Sequence, residues 1–244
     1  MSWVSTAAKR FGRLLAVAAA LLPGMAMAAI VVASSGPSAR QFPAGKKLSE
    51  DGRITLQKGD SVTVLDKRGT RVLRGPGRFS VSKPGRPISN PAFAILTRQK
   101  SSSRVTVGAV RTGEDGKPLS PNLWYVDFAR PGTKCVADPD GLTLWRADPD
   151  KSAQYRIARA DGGEMTLSFG KGAALAPWDT AQAPVTDGAT YRIAGKGDDE
   201  PGELTFVLLP DPPSDEEALA LALIEKGCTA QVELLAAHLS LSRM

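Results

Sequence analysis

Short segments of alternating apolar and polar residues fill the region from residue 29 to residue 82. In residues 61–65, Val62 and Val64 fall on one side of an extended strand. Similar β-branched or alternating segments recur at 30–32, 53–56, 71–74 and 78–81. Turn residues such as Lys58-Gly59-Asp60 and Gly75-Pro76-Gly77 separate them, which is typical of hairpins. The pattern predicts a small β meander or roll over residues 29–82.

A second region of short strands is predicted over residues 122–210. Asp, Gly and Pro turns separate its apolar segments, which are residues 123–128, 142–146, 154–159, 165–169, 189–194 and 203–209. Six segments of this length favour an antiparallel β-sandwich. Trp145, Trp178 and Tyr191 are expected in its core rather than on a ligand-stacking surface, because few other large residues are available to fill that core.

Residues 83–121 are predicted to link the two β regions. Residues 84–87 and Asn90-Pro91 contain the helix and strand breakers Pro and Gly, and Ser101-Ser102-Ser103 is typical of a flexible segment. Residues 92–99 favour two helical turns, and residues 104–111 alternate like an edge strand or an extended arm. A domain boundary is expected within this linker.

The apolar period changes from two to about 3.6 after residue 211. Ser214 followed by Glu217 matches a capping box, and residues 218–226 are strong helix formers that end at Gly227. Thr229 can cap a second helix over residues 230–241. The chain is therefore predicted to be mainly β, with a helical hairpin over residues 211–244 that covers the sandwich as a lid or cap. A DNA-binding role for this hairpin is disfavoured by its acidic surroundings.

The N-terminus has the pattern of a secretory signal peptide. Lys9, Arg10 and Arg13 precede a nine-residue apolar run, and Ala26-Met27-Ala28 forms a cleavage site. An uncleaved anchor is the alternative, but a membrane span needs about 20 apolar residues. Cleavage is therefore predicted after Ala28, giving a periplasmic protein.

Cys135 and Cys228 are the two cysteines of the sequence. An even number in an oxidising compartment predicts a disulfide, which would join the helical hairpin to the start of the second β region. A reactive thiol is the alternative, but the sequence has no C-x-x-C motif.

Charge is distributed unevenly along the chain. Residues 29–111 carry 16 Lys and Arg against 4 acids, or +12, whereas residues 112–244 carry 12 against 21, or −9. A basic surface attracts polyanions, and an exported protein meets lipopolysaccharide, anionic lipid headgroups and acidic protein faces rather than nucleic acid. The alternative is that the two halves pack together and neutralise each other.

Five cations near one predicted hairpin are the candidate binding residues. They are Lys67, Arg68, Arg71, Arg74 and Arg78. Because an unpaired buried charge is costly, these side chains are expected to project outward as one basic ridge. The alternative is a surface that only aids solubility.

Residues 30–82 resemble the FecR-type domain. The resemblance lies in Ile54 to Leu65, which contain Gly59-Asp60, and in Leu73 to Phe79, which contain Gly75-Pro76-Gly77. It implies an all-β fold and a noncatalytic relay role, in contact with an outer-membrane transducer and an inner-membrane or cytoplasmic regulator. The residues before 30 carry only the signal-peptide pattern, so we expect the domain without the anti-sigma segment of that relay.

The sandwich region resembles immunoglobulin-like or fibronectin-like modules, which are often appended to envelope proteins. This resemblance lies in Leu144-Trp145-Arg146, Tyr155-Arg156-Ile157, Trp178 and residues 187–193.

No motif in the sequence predicts catalysis. His238 is the single histidine, and no nucleophile elbow, zinc-protease, phosphate-loop or dinucleotide pattern occurs. A carboxylate pair for glycoside chemistry is the remaining enzymatic alternative. Asp138-Pro139-Asp140 and Asp148-Pro149-Asp150 are interpreted as turns rather than calcium loops.

We therefore predict a nonenzymatic protein without a cofactor, a metal or a small-molecule substrate. It is predicted to dock on another envelope protein. The alternative is direct binding of an anionic envelope polymer by the basic N-terminal region.

Overall fold

The computed structural model of the chain describes residues 27–66, 69–81, 91–98, 118–160, 162–195 and 202–241. Its strands are β1 (Met27–Ser35), β2 (Lys47–Ser49), β3 (Arg53–Leu56), β4 (Ser61–Asp66), β5 (Gly69–Arg74), β6 (Gly77–Ser80), β7 (Val126–Asp127), β8 (Gly132–Val136), β9 (Thr143–Trp145), β10 (Ala153–Arg159), β11 (Glu164–Phe169), β12 (Leu175–Pro177), β13 (Thr190–Gly195) and β14 (Gly202–Leu208). Its helices are α1 (Pro91–Leu96), α2 (Glu216–Glu225) and α3 (Thr229–Leu241), with a 3-10 turn at Ala39–Gln41. The predicted mainly β fold with a C-terminal helical pair is confirmed.

Strands β1–β6 form two sheets, which we call the N-terminal unit. One is antiparallel in the order β2-β1-β4-β5, and the other pairs β3 with β6. Val31 and Val64 of the inner strands pack with the β3–β6 side, whereas Ile30 and Leu65 pack with the helices. A strand buried on both faces needs apolar residues at successive positions. That need explains the nearly continuous apolar runs of β1 and β4.

Strands β7–β14 form a sandwich of a five-stranded sheet, β11-β10-β13-β14-β8, and a three-stranded sheet, β12-β9-β7. The core positions predicted for Trp145, Trp178 and Tyr191 are confirmed, since all three are buried. Trp178 meets the Tyr191 and Phe206 rings edge-on, with centroids 5.2 Å away in both cases. Edge-to-face packing is a favourable geometry for aromatic rings.

The alternation of short strands predicts a wholly antiparallel sandwich. The structure differs, because two of its strand pairs are parallel. β8 pairs with β14 in parallel, and β7 pairs with β9 in parallel. Parallel neighbours require a long connection between them. The 65 residues between Val136 and Gly202 supply such a connection for β8 and β14.

The helical pair packs on the N-terminal unit rather than capping the sandwich, so the predicted lid is wrong in its location. Leu219, Leu223 and Leu235 share a core with Ile30 and Leu65 of the N-terminal sheet. The helices meet the sandwich where α3 runs beside β8. The outer face of the N-terminal sheet carries Ile30 and Leu65 and has no other cover among the described strands, so the helices bury it.

The N-cap of α2 is Asp215, one residue later than the Ser214 that the capping box predicted. Its carboxylate accepts a hydrogen bond from the Ala218 N–H at 2.9 Å. Asp and Ser are both good N-caps. The local sequence therefore located the helix start to within one residue.

The disulfide between Cys135 and Cys228 is present, as predicted. It joins β8 to the residue before α3, and both cysteines are buried. The short helix predicted in the linker is also present as α1. Outside the described residues lie residues 1–26 of the predicted signal peptide, most of the linker and the strand-like residues 104–111. Met27 and Ala28, the last two residues of the predicted signal peptide, begin β1. Among the residues that are described, no helix is long and apolar enough to cross a membrane.

Candidate functional site

Arg71 does not project outward as the predicted ridge required. Its side chain is 14% exposed, and Nη2 lies 3.5 Å from Oδ2 of the buried Asp66. The same nitrogen donates to the carbonyl oxygen of Val81. On β5, Arg71 and Leu73 share the face toward β3–β6, because side chains two residues apart lie on one side of a strand. Arg71 therefore ties the two N-terminal sheets together.

The two other ridge residues that the structure describes do not share the face of Arg71. Arg74 lies on the opposite face of β5 from Arg71, and Arg78 lies on β6 opposite Thr55. Both arginines are exposed. Lys67 and Arg68 lie outside the described residues. The structure thus removes Arg71 from the predicted ridge, and a binding role for Arg74 and Arg78 stays a prediction.

A different basic surface is organised by Asp60, which is buried. Its Oδ1 accepts a hydrogen bond from the Ser38 N–H at 2.8 Å, and its Oδ2 accepts from the Gln57 N–H at 2.6 Å. The hydrogen bond from Ser38 is the largest influence holding the pKa of the Asp60 carboxyl below its usual value. Asp60 therefore stays ionised and fastens the loop after β1 to the turn before β4.

The turn between β5 and β6 joins the same cluster. The Gly75 N–H donates to the Asp60 carbonyl oxygen at 3.0 Å. A Cβ at Gly75 would lie 1.9 Å from the Gln57 carbonyl oxygen, and a Cβ at Gly36 would lie 2.4 Å from that of Gly59. Glycine is therefore required at 36 and 75. Gly59-Asp60 and Gly75-Pro76-Gly77, the two turns of the FecR-like resemblance, thus lie in contact.

Four exposed cations lie on or beside these three loops, and we call them the basic loop end. They are Arg40, Lys58, Arg74 and Arg78. None of the four forms an ion pair with a described residue. Asp60, the acid carried by these loops, is directed inward by its backbone hydrogen bonds. The loops therefore present positive charge without an exposed carboxylate.

Among the exposed charged residues of the N-terminal unit, cations outnumber acids by a larger ratio than in its composition. Its exposed cations among the described residues are Arg40, Lys46, Lys47, Arg53, Lys58, Arg74 and Arg78. Its exposed acids are Glu50 and Asp51, because Asp60 and Asp66 are buried. Glu50 and Asp51 precede β3, at the opposite end of that strand from Lys58. Positive charge consequently dominates the loop end.

A second charged cluster lies where α3 meets the sandwich, and we call it the junction. Lys134 on β8 is 4% exposed and lies near Asp127, Arg130 and Glu233. Arg130 Nε lies 3.6 Å from Asp127 Oδ2, and Arg130 Nη1 lies 3.8 Å from Glu233 Oε2. Burial lowers the pKa of Lys134 to about 8, although Asp127 and Glu233 oppose the change.

Gln231 on α3 fastens the helix to the edge of β8. Its Oε1 accepts from the Cys135 N–H at 2.7 Å, and its Nε2 donates to the carbonyl oxygens of Cys135 at 2.9 Å and Leu123 at 3.0 Å. The Gln231 side-chain amide thus makes the hydrogen bonds to the N–H and carbonyl oxygen of Cys135 that a neighbouring strand would otherwise make. The unpaired edge of β8 is thereby covered.

Sequence reasoning identified neither Asp60, Lys134 nor Gln231 as a central residue. Asp60 carried a signal, because Gly-Asp before an alternating segment marks a tight turn whose carboxylate can accept backbone N–H groups. Lys134 and Gln231 carried none, because their burial depends on contacts between distant parts of the chain.

The cavities at the junction are small. One is lined by Tyr125, Lys134 and Gln231, among others, and has a volume of about 10 Å³, which is about what one ordered water needs. A neighbouring cavity beside Trp124 and Asp138 is of similar size. Within the described residues, no group of three or more His, Cys, Asp and Glu side chains is placed to hold a metal ion. Neither cavity offers a site for an organic ligand.

No family model, curated protein or solved structure matches this chain. The FecR-like and immunoglobulin-like resemblances consequently stay predictions, as do the domain boundaries drawn from the sequence.

Proposed function

We propose that this chain is a noncatalytic, exported, FecR-like interaction module that docks on another component of the cell envelope through its N-terminal unit. The observation that carries the proposal is the exposed charge of that unit. Asp60 and Asp66 are buried in structural roles, whereas seven of the unit's described cations are exposed to solvent: Arg40, Lys46, Lys47, Arg53, Lys58, Arg74 and Arg78. Surfaces of one sign raise the local concentration of oppositely charged partners and accelerate their association.

The first candidate partner is an envelope protein with an acidic face, as the FecR-like resemblance implies. The structure suits such a role, because a shared apolar core holds the helices on the N-terminal unit, and the disulfide and Gln231 hold the helices on the sandwich. A module of this kind presents one surface in a fixed position relative to the rest of the chain.

The second candidate partner is an anionic envelope polymer or lipid surface. One observation favours it: Ile95 is the one large apolar side chain exposed among the described residues. Protein interfaces usually centre on buried apolar or aromatic side chains. A basic surface with few exposed apolar side chains is better suited to binding a polyanion than to forming a protein interface.

The proposal is tested by crosslinking the mature, oxidised protein in intact envelopes and identifying the proteins and lipids it captures. Capture should fall sharply in the variant Arg74→Glu/Arg78→Glu. It should persist in the matched variant Lys151→Glu/Lys171→Glu, which makes the same change in net charge on exposed sandwich residues. Equal capture by both variants would contradict docking through the N-terminal unit.

The identity of the captured molecule separates the two candidates. Binding to a polyanion should weaken steeply as salt is added, because the charges involved are exposed to solvent. Docking of the same cations on an acidic protein face should weaken with salt in the same way. Capture of one protein would favour the first candidate, and capture of lipid or polymer would favour the second, whereas capture that persists at high salt would contradict docking through the exposed charge.

A further inference from the structure

We propose that the basic loop end is a docking surface for an anionic phospholipid bilayer and that Asp60 is its positioning residue. This inference rests on the second candidate of the proposed function and adds the site, the ligand chemistry and the residue that arranges the site. The occupants would be the phosphates of lipid headgroups.

The basic loop end carries positive charge that no described residue neutralises through an ion pair. Arg40, Lys58, Arg74 and Arg78 are exposed, and none of them forms an ion pair with a described residue. Asp60, the acid carried by these loops, has both carboxylate oxygens occupied by backbone N–H groups. These cations are therefore available to phosphate groups, with which arginine makes two parallel hydrogen bonds.

Hydrogen bonds hold the loops of the basic loop end together. The loops that carry the cations are joined by Asp60: its carboxylate binds Ser38 and Gln57, and its carbonyl oxygen accepts from Gly75. The exposed acids Glu50 and Asp51 lie at the far end of β3. Loops gathered at one end of a unit can approach a flat surface together. A negatively charged membrane attracts each nearby cation in an additive, salt-sensitive way.

No large apolar side chain is exposed in the described part of the N-terminal unit. A protein partner would be expected to bury such a side chain at the centre of its contact. Attraction to a charged bilayer surface needs none, so the observations favour lipid over protein at this end of the molecule.

Co-sedimentation with vesicles tests the site. The oxidised protein should bind vesicles that contain phosphatidylglycerol and should not bind vesicles of phosphatidylcholine alone. Arg74→Glu/Arg78→Glu should weaken binding by about tenfold or more, and Lys151→Glu/Lys171→Glu should leave it nearly unchanged. Excess inorganic phosphate at constant ionic strength should not release the protein, because a free ion offers one phosphate where a bilayer offers many.

Asp60→Asn tests the positioning role. This variant keeps all four cations and makes the protein one charge more positive, so simple charge attraction predicts equal or stronger binding. If Asp60 arranges the loops, binding should instead weaken, because an amide cannot accept at both of its ends. Near-ultraviolet circular dichroism and a thermal melt establish that the variant is folded. Asp60→Ala, which is also one charge more positive, should weaken binding in the same direction.

Each outcome decides something. Equal binding by the two double variants would overturn the site. Undiminished binding by both folded Asp60 variants would overturn the positioning role. Release by inorganic phosphate would make the ligand a free phosphate rather than a bilayer. Failure of the wild-type protein to bind phosphatidylglycerol vesicles would overturn the lipid proposal. The proposed function would still stand if the protein captured an envelope protein and if that capture depended on Arg74 and Arg78.

Discussion

The basic loop end and the junction are each arranged around one buried charged side chain, and the two charges are compensated in different ways. Asp60 accepts hydrogen bonds from two backbone N–H groups, which stabilise its ionised form. Lys134 lies among side chains of both signs, and its loss of solvent lowers its pKa to about 8. The buried charge of Asp60 is thus favoured by the fold, whereas that of Lys134 is opposed by it.

This difference separates the roles of the two regions. At the loop end, the buried carboxylate arranges three loops and leaves the cations around it exposed to solvent. At the junction, charges of both signs are buried together beside a disulfide, and the cavity between them has room for about one water. The loop end is suited to binding, and the junction is suited to holding α3 against the sandwich.

The largest expected effect comes from removing the disulfide at the junction. Cys135→Ala/Cys228→Ala frees a loop with a sequence separation of 93 residues. In the chain-entropy account, closing such a loop contributes on the order of 4–5 kcal/mol. Urea unfolding should show a loss of that order, with vesicle binding retained if the loop end is independent of the junction. An unchanged free energy of unfolding would remove the disulfide from the account of stability.

Gln231→Ala should have the next largest effect. It leaves the Cys135 N–H and the carbonyl oxygens of Cys135 and Leu123 without the partner that they have in the native state. Buried groups that lose a hydrogen bond cost about 1–3 kcal/mol each, and partial relaxation limits the total to about 3 kcal/mol. Amide hydrogen exchange at Cys135 should accelerate. Gln231→Glu keeps an acceptor for the Cys135 N–H but places a buried carboxylate against two carbonyl oxygens, so it should be at least as destabilising as Gln231→Ala.

These predictions also mark where sequence reasoning was sufficient. Alternation located β3–β6, and the apolar period located α2 and α3, because those patterns depend on the residues themselves. The pairing of Cys135 with Cys228 followed from there being two cysteines. Alternation could not place Arg71, whose partners Asp66 and Val81 are brought together by the pairing of sheets. The arrangement around Asp60 likewise depends on three loops that meet only in the folded chain.

The charge of Lys134 should make stability depend on pH above neutrality. The pKa of Lys134 is 10.5 in its ordinary state and about 8 in the native protein. Between these values the unfolded chain holds more protons than the native one, so stability should rise as pH rises from about 8 to 10.5. A change of this size corresponds to about 2–3 kcal/mol once residual solvation is allowed for.

The control for this pH dependence is Lys134→Met, which removes the titrating amine. Burial raises the pKa of Tyr125, so its ionisation at high pH should reduce stability in both proteins. The difference between wild type and Lys134→Met therefore isolates the lysine. If the two free energies of unfolding run parallel between pH 8 and 10.5, Lys134 does not titrate as described.

The smallest effects concern two arginines three residues apart on β5, and they sharpen the contrast between buried and exposed charge. Arg71→Glu places a second carboxylate beside the buried Asp66 and removes the donor to Val81. It should cost about 2 kcal/mol in the free energy of unfolding. Arg74→Glu changes an exposed charge without an ion-pair partner among the described residues, and its cost should stay within about 0.5 kcal/mol. Thermal melts compare the stabilities of the two variants directly.

The vesicle affinities of the two variants should rank in the opposite order to their losses of stability. The folded Arg74→Glu protein should lose more affinity than the folded Arg71→Glu protein, because Arg74 belongs to the basic loop end and Arg71 does not. The opposite order would contradict the assignment of vesicle binding to the basic loop end.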